Sequence, residues 1–377
     1  MNKKEIAEIK KQFTPENCAI TRICGCYVDG DKNKKTKLKE AFLSLPDEEM
    51  FKYFDIFKKT LSGRLGKNLM NLDFPLEQEK ESGTQEFLMK LRASKLTDNE
   101  LLDEFYDKVI EHYDYPENYY IILIHAVYDI PGKASDGTNM DDASEEIYEY
   151  VLCSICPVSL SKPGLSYNAE ENNIQDRVRD WVVGKPEVGF LFPAFNDRNT
   201  DIHSTLYYDK NIKNIHAVFV ENILGTPVPM ASEDEKGWFL AFINEVFEKD
   251  KTFGFSENLV EALEYAKEIM KDDPTVTTIS CEEMKTILEK CGVPDEKLKD
   301  FKEDWDCYFT EPLILDNIHN SKAAKILTPD ATICISPERI KLVELQEVNG
   351  VPSLVIPVNG RLEVNGIEIN LKEDKQI

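Results

Sequence analysis

The sequence predicts a mixed α+β fold, with an N-terminal α/β body, a helix-rich middle and a C-terminal antiparallel β-meander. Helical apolar stripes alternate with buried runs in the first part, capped helices follow in the second, and Asn-Gly pairs separate short apolar runs in the third. A chain of 377 residues is longer than one hydrophobic core usually supports. We therefore expect three divisions, 1–224, 225–327 and 328–377.

The N-terminal body begins with a short charged helix and a strand over 18–29. Alternate residues of this strand are expected to share one face: Ile20, Arg22, Cys24 and Cys26. Apolar residues at helical spacing predict a helix over 46–61. Thr97 and Glu100 have the spacing of a capping box and predict the start of another helix.

Two apolar runs in the same body, 118–128 and 188–195, lack a helical stripe. Continuous apolar runs of this length are typical of strands that are buried on both faces. His125 interrupts the first run, and we expect it to be a hydrogen-bonded histidine of the core. The alternation of helices and buried strands indicates an α/β layer.

The middle and the end of the chain have clear local signals. Ser232 with Glu235, and Ser280 with Glu283, have capping-box spacing in front of amphipathic helices. Asn-Gly, the preferred pair of the two-residue type I′ hairpin turn, occurs at 349, 359 and 365. The last fifty residues are therefore predicted to form a β-meander.

The charge of the chain bears on its partners. Lys and Arg number 45 against 70 Asp and Glu, a formal net charge of -25. A field of that sign repels phosphate backbones and anionic lipids, so we expect neither nucleic acid nor a membrane as a direct partner. The run 32–39 carries five lysines without interleaved aromatic residues, and it is predicted to be a solvated loop leading into a helix.

The cellular compartment is predicted from the cysteines and from hydropathy. The nine cysteines are an odd number, spread over a long chain, and favour a reducing compartment over a disulfide framework. The longest apolar run is far shorter than the roughly 20 residues that span a bilayer. We expect a soluble, cytoplasmic protein.

Five segments of the chain are distinctive: NCAITRICGCYVDG, KTLSGRLGKNL, ENYYIILIHAVYDIPGKASDG, SICPVSLSKPGLSYN and GFLFPAFNDRNTDIHSTLYY. They resemble an uncharacterised family of anaerobic gut Firmicutes that is known only as a domain of unknown function. The resemblance extends over nearly the whole chain. It implies no activity and no catalytic residue.

One candidate catalytic group lies in the polar segment 196–204, which follows the buried run 188–195. It contains two acids, a cation and an imidazole: Asp197, Arg198, Asp201 and His203. In parallel sheets ligands bind beyond the carboxyl ends of strands, so acid-base chemistry is one hypothesis for this segment. The alternative is an ordinary turn whose polar groups are satisfied.

A candidate metal site is formed by two cysteine pairs: Cys24 with Cys26, and Cys153 with Cys156. Four thiolates are suitable ligands for zinc or an iron–sulfur cluster. The first pair has only one intervening residue, and cysteines that alternate on a strand also fill a core as small apolar residues. The acidic run 136–142 lacks the spacing of a calcium-binding loop and is predicted to be a surface loop.

The large readable enzyme classes are not indicated, because the sequence contains no GxxxxGK[ST], GxGxxG, GxSxG or HExxH motif. The leading hypothesis is an acidic binding or protein-interaction protein without catalysis and without a cofactor. The alternatives are a hydrolase-like enzyme that uses segment 196–204 and a metal-binding protein that uses the four cysteines.

Overall fold

The structure, a computed structural model, describes residues 1–133, 139–248, 252–270, 275–319, 323–358 and 360–369. A large antiparallel sheet with helices around it confirms the mixed α+β fold. The chain divides into two compact units. Unit 1 contains the described residues of Met1–Glu235 with residues 275 and 276, and unit 2 contains those of Lys236–Asp272 and Thr277–Ile377. The three-part division at 224 and 327 stays a prediction.

Unit 1 has the following elements. Its helices are α1 (Lys3–Lys10), α2 (Asp47–Thr60), α3 (Thr84–Ala93), α4 (Asn99–His112) and α5 (Ala217–Phe219), with a 3-10 turn at Phe42–Ser44 and a π-helical turn at Val220–Leu224. Its strands are β1 (Ile20–Val28), β2 (Lys34–Ala41), β3 (Leu69–Asp73), β4 (Tyr119–Lys133), β5 (Asn139–Leu160), β6 (Leu165–Asn168), β7 (Asn173–Asp176), β8 (Trp181–Val183), β9 (Val188–Phe192), β10 (Ala194–Asn196), β11 (Asn199–Asp201) and β12 (Ser204–Asp209).

The main sheet of unit 1 has the order β2-β1-β4-β5-β9-β12-β3, and all of these pairs are antiparallel. Helices α1 and α2 contribute apolar side chains to one face: Ile6, Ile9, Phe54 and Phe57. Helices α3 and α4 contribute to the other: Leu88, Leu91, Phe105 and Val109. Because helices cover both faces, the buried parts of the central strands are mostly apolar, and all five residues of β9 are buried.

The first strand shows one departure from simple alternation. Cys24 and Cys26 face the α3–α4 side, whereas Ile20 and Ile23 lie in the core cluster on the α1–α2 side. The pairing of β1 with β4 shifts register between Ile20 and Arg22. An irregularity of this kind changes which residues share a face, so the prediction that Ile20 lies beside Cys24 is wrong.

The lysine-rich run 32–39 forms most of the edge strand β2, so the prediction of a loop leading into a helix is wrong. Its lysines pair with acids and acceptors of neighbouring elements. Lys34 Nζ lies 2.7 Å from Asp107 of α4, and Lys37 pairs with Asp103 of the same helix. Lysine on an edge strand disfavours pairing with another chain, which explains a strand with so little apolar character.

Unit 2 contains most of α6 (Ser232–Val246) and the remaining elements. Its further helices are α7 (Phe253–Ile269), α8 (Cys281–Lys290), α9 (Phe301–Tyr308) and α10 (Leu315–Ile318), with a 3-10 helix at Pro337–Leu342. Its strands are β13 (Thr278–Ile279), β14 (Leu313–Ile314), β15 (Ala324–Leu327), β16 (Thr332–Ile335), β17 (Glu344–Val348), β18 (Val351–Val355), β19 (Leu362–Val364) and β20 (Ile367–Ile369). Phe242 lies at the centre of its aromatic core, with ring centroids of Phe301, Trp305 and Phe309 within 5.7 Å.

Two of the predicted helix starts can be compared with the cap geometry. The capping box of Ser280 with Glu283 at the start of α8 is confirmed. Helix α4 begins one residue later than Thr97 suggests, because the side chain of Asp98 accepts the amides of Glu100 and Leu101. A carboxylate is an equally good N-cap, and its negative charge also interacts favourably with the positive end of the helix dipole.

The C-terminal strands form separate hairpins, in which β15 pairs with β16, β17 with β18, and β19 with β20. Asn349-Gly350 and Asn365-Gly366 both have positive φ at each residue, as a type I′ turn requires. These two predicted turns are confirmed, but the described strands do not join into one continuous meander. Asn359 and part of the run 136–142 lie outside the described residues.

None of the helices in the described ranges is both long enough and apolar enough to cross a bilayer.

His125 is buried in β4, as predicted for a core histidine. Its Nδ1 lies 2.6 Å from the hydroxyl of Thr21, and its Nε2 lies 2.7 Å from a carboxylate oxygen of Glu149. Burial lowers the pKa of His125 below its ordinary value of 6.5, although Glu149 favours the protonated form. The folded protein therefore keeps this imidazole neutral at a pH where the unfolded chain takes up a proton.

We expect this histidine to make stability depend on pH. The contribution of the neutral His125 to the free energy of unfolding is fully present above pH 6.5. It is lost as the pH falls toward the lower pKa of His125 in the folded state. The difference in melting temperature between wild type and His125→Gln should therefore shrink from about pH 8 to about pH 5. A difference that stays constant over this range would contradict the assignment.

Gly189 of β9 provides a second test of the packing. A Cβ at this position would lie 2.4 Å from the carbonyl oxygen of Cys153 and 2.6 Å from a methyl group of Thr60. Because a backbone carbonyl within a sheet cannot move freely, Gly189→Ala should lower the free energy of unfolding by about 1–3 kcal/mol, measured by urea denaturation. Gly164→Ala is the matched control, since no atom lies within 4 Å of the added carbon.

Candidate functional site

The polar segment 196–204 forms the hairpin of β10 and β11, in which Asn196 pairs with Asn199. Asp197 and Arg198 occupy its turn with φ of 51° and 58°. This is a two-residue hairpin turn, whose geometry needs positive φ at both central positions. The rule for carboxyl ends of parallel strands does not apply here, because the main-sheet pairings of unit 1 are antiparallel.

Arg198 is held by an ion pair with Glu8 of α1. Its Nη2 donates to a Glu8 oxygen at 2.9 Å, and its Nε lies 3.2 Å from the other oxygen. Nη2 also donates to the carbonyl of Pro131 at 3.2 Å. The hydroxyl of Tyr128 donates to the same carboxylate at 2.9 Å. These bonds join α1, β4 and the hairpin turn.

Asp201 belongs to a different network. It accepts hydrogen bonds from the Asn196 amide at 2.6 Å, from the Ser204 hydroxyl, and from the His203 backbone amide at 3.0 Å. Burial alone would raise the pKa of Asp201, but these hydrogen bonds outweigh it and hold the pKa below its ordinary value. Asn196 in turn accepts from the ammonium of Met1. Asp201 therefore orders the hairpin as a carboxylate.

His203 lies on the surface, with 67% of its side chain exposed. Its Nδ1 lies 2.7 Å from a carboxylate oxygen of Glu79, and this hydrogen bond raises the pKa of His203. The contact with Asp201 is to the backbone amide of His203 and not to its imidazole. Arg198, Asp201 and His203 thus take part in separate contacts, and Asp197 lies in the turn. The acid beside the imidazole is Glu79, which the sequence did not indicate.

The cysteine pairs are spread over the main sheet. Cys24 and Cys153 both face the α3–α4 side, but Leu123 of β4 lies between them in the register. Cys156 lies in the core cluster on the opposite face. The four sulfur atoms therefore do not converge on one point. Across the ranges that the structure describes, no group of three or more His, Cys, Asp or Glu side chains is placed to hold a metal ion.

A groove of about 760 Å³ lies in unit 2 and is bordered by α7, α8 and the 3-10 helix at 337–342. We call it the unit 2 groove. Its apolar lining residues include Ala262, Tyr265, Ala266, Ile269, Ile279, Ile287 and Ile340. Tyr265 and Ile269 are each 64% exposed. They lie four residues apart on α7, outside the buried stripe of Leu259 and Leu263. This second apolar stripe is the feature of the sequence from which an exposed apolar surface could have been predicted.

The unit 2 groove is also acidic. Its described lining residues include five glutamates and two lysines: Glu261, Glu264, Glu268, Glu283, Glu338, Lys290 and Lys341. One of these lysines, Lys341, pairs with Glu261 at 2.6 Å. Glu264 lies 2.5 Å from the Nε2 of His319. The groove thus combines an apolar surface with an excess of carboxylates.

A second cavity of about 330 Å³ lies beside α1 in unit 1. We call it the α1 pocket. It is lined by polar side chains: Lys4, Glu8, Lys11, Gln12, Asn17, Tyr128 and Arg198. It contains Arg198, which the sequence indicated, and two lysines, which it did not.

Comparison with known proteins identifies a family. A family model described as a domain of unknown function, DUF4317, matches residues 1–367. The match extends over both compact units and nearly the whole chain, so the predicted resemblance to an uncharacterised family is confirmed at that level. The expected origin in anaerobic gut Firmicutes stays a prediction. No curated protein matches the chain.

The cysteines allow a direct test of the site geometry. Burial raises the pKa of both Cys24 and Cys26 to about 11, so their thiols are protonated at neutral pH and enclosed by the core. Cys307 and Cys334 are exposed. A thiol-alkylating reagent at neutral pH should modify the two exposed cysteines first, as read by peptide mass spectrometry.

The core cysteines should react only after denaturation. Rapid modification of Cys24 or Cys26 in the native protein would show that the sheet does not enclose them. The exposed pair provides the internal control, because its modification reports that the reagent is active.

Proposed function

We infer that this chain, which belongs to the DUF4317 family of domains of unknown function, is a binding protein without catalysis. Its unit 2 groove takes a cationic amphipathic segment of a protein partner. The observation that supports this most directly is that exposed apolar side chains and an excess of carboxylates line the same groove. A helix with one apolar face and basic residues along its edges has the complementary pattern.

The apolar surface of the groove provides the binding free energy in this proposal. A volume of about 760 Å³ lies within the range of roughly 300–1,000 Å³ that is usual for binding clefts. The side chains of Tyr265 and Ile269 are largely exposed. Burying them against a partner contributes a binding free energy of roughly 25 cal/mol per Å² of apolar surface. Their spacing on α7 suits the anchor residues of an approaching helix.

The carboxylates provide selectivity. Among the described residues that line the groove, five glutamates against two lysines leave an excess of three negative charges. Complementary charge accelerates association and disfavours acidic partners. The net charge of the whole chain, -25, also disfavours acidic partners. It therefore supports a protein partner over nucleic acid or an anionic membrane. A cytoplasmic location fits this proposal.

The two alternative functions have less support. A hydrolase would need His203, whose Glu79 contact could orient an imidazole, but His203 lines neither the unit 2 groove nor the α1 pocket. A metal-binding role would need the four cysteines to meet, and Cys156 faces away from the other three.

The groove proposal predicts binding of a designed amphipathic helix that carries lysines beside one leucine-rich face. Fluorescence anisotropy of the labelled peptide should give saturable binding to the full chain. Ile269→Ser and Tyr265→Ser should each weaken it by about tenfold, as expected for anchor contacts that lose more than 1 kcal/mol. Leu240→Ser on α6 is the matched control, because Leu240 is an exposed apolar residue that does not line the groove.

A second peptide tests the role of charge. Replacing its lysines with glutamates leaves the apolar face unchanged and should abolish binding. Equal binding of both peptides, or equal loss in the Leu240 variant, would contradict the proposal.

A further inference from the structure

We propose that the α1 pocket binds a small organic dianion, whose phosphate or carboxylate groups are held by Lys4, Lys11 and Arg198. The pocket lies in unit 1 and is distinct from the unit 2 groove, so this inference does not rest on the proposed function.

The lining residues have a regular arrangement. Lys4, Glu8 and Lys11 are spaced by four and three residues, which places them along one side of α1 and its C-terminal cap. Tyr128 of β4 and Arg198 of the hairpin turn line the pocket with them. Gln12 and Asn17 add side-chain amides. The pocket is therefore bordered by several donors of charged or neutral hydrogen bonds.

The charge balance of the pocket is positive, although the chain carries -25. Glu8 is the one carboxylate among the described residues that line the pocket, and it is bound by the Arg198 guanidinium and the Tyr128 hydroxyl. That contact leaves the charges of Lys4 and Lys11 uncompensated within the lining. Neither ammonium group forms an ion pair with any residue in the described part of the chain. An anion with two negative charges would balance them.

Arg198 is already positioned for such a ligand. Glu8 and the carbonyl of Pro131 bind its Nε and Nη2, which fixes the plane of the guanidinium. Its Nη1 has no hydrogen-bond partner among the described residues. A guanidinium that is fixed before binding loses little conformational entropy when an oxyanion arrives.

The size and polarity of the cavity limit the ligand class. A volume of about 330 Å³ is near the lower end of the usual range for ligand sites. The lining is predominantly polar and charged, so a compact phosphorylated or dicarboxylic metabolite suits it better than a large apolar one.

Isothermal titration calorimetry on the full chain at low ionic strength tests the site with two probes, inorganic phosphate and succinate. We expect saturable binding of at least one, and the tighter probe identifies the source of the negative charge. Lys4→Gln and Lys11→Gln should each weaken binding about 3- to 10-fold, and the double variant more, because each removes one charge-assisted contact. Both lysines are exposed, so the variants should fold.

Lys3→Gln is the matched control, since Lys3 is an exposed lysine of the same helix that does not line the pocket. The affinity of the Lys3→Gln variant for each probe should equal that of wild type. Absence of binding for both probes would overturn the proposal. So would an equal loss of affinity in the Lys3 variant, because that result would reflect overall charge and not a site.

Discussion

The pairing of β4 with β5 is the contact on which unit 1 depends. These two strands lie in the middle of the main sheet, and both of their faces are covered. Backbone groups in such a position must find partners within the sheet, and side chains on either face must be apolar or individually bonded. Ser154 and His125 meet this requirement, the first by a 2.7 Å hydrogen bond to Thr60 and the second through Thr21 and Glu149. The burial of Cys153 and Cys156 in β5 follows from the same constraint.

In unit 1, the α1 pocket lies beside α1 and the hairpin turn and not in the interior of the main sheet. The hairpin of β10 and β11 brings Arg198 to α1, and the resulting pocket is positive in a strongly acidic chain. In unit 2, the groove lies between α7, α8 and the 3-10 helix at 337–342, and some of the apolar side chains that line it are exposed. The charge of the α1 pocket departs from what the total composition suggests, whereas the unit 2 groove shares the acidic character of the chain.

Much of the fold was predictable because its signals are local. The Ser280 cap, the helix over 46–61 and the Asn-Gly turns at 349 and 365 each depend on a few neighbouring residues. The antiparallel order of the sheet was not predictable, because a strand buried on both faces has the same composition in parallel and antiparallel sheets. The site was harder still. Glu8 and Glu79, the acids that contact Arg198 and His203, are separated from them by 190 and 124 positions.

The lysine-rich strand β2 has a consequence for how basic runs are interpreted in genomes. By composition alone, residues 32–39 resemble a polybasic targeting signal or a segment that binds polyanions. In the folded chain, Lys34 and Lys37 are paired with acids of α4, and Lys39 Nζ donates to the carbonyl of Thr97 at 2.6 Å. Their charge is already used within the molecule. A search by composition alone would therefore misclassify this edge strand as a targeting signal.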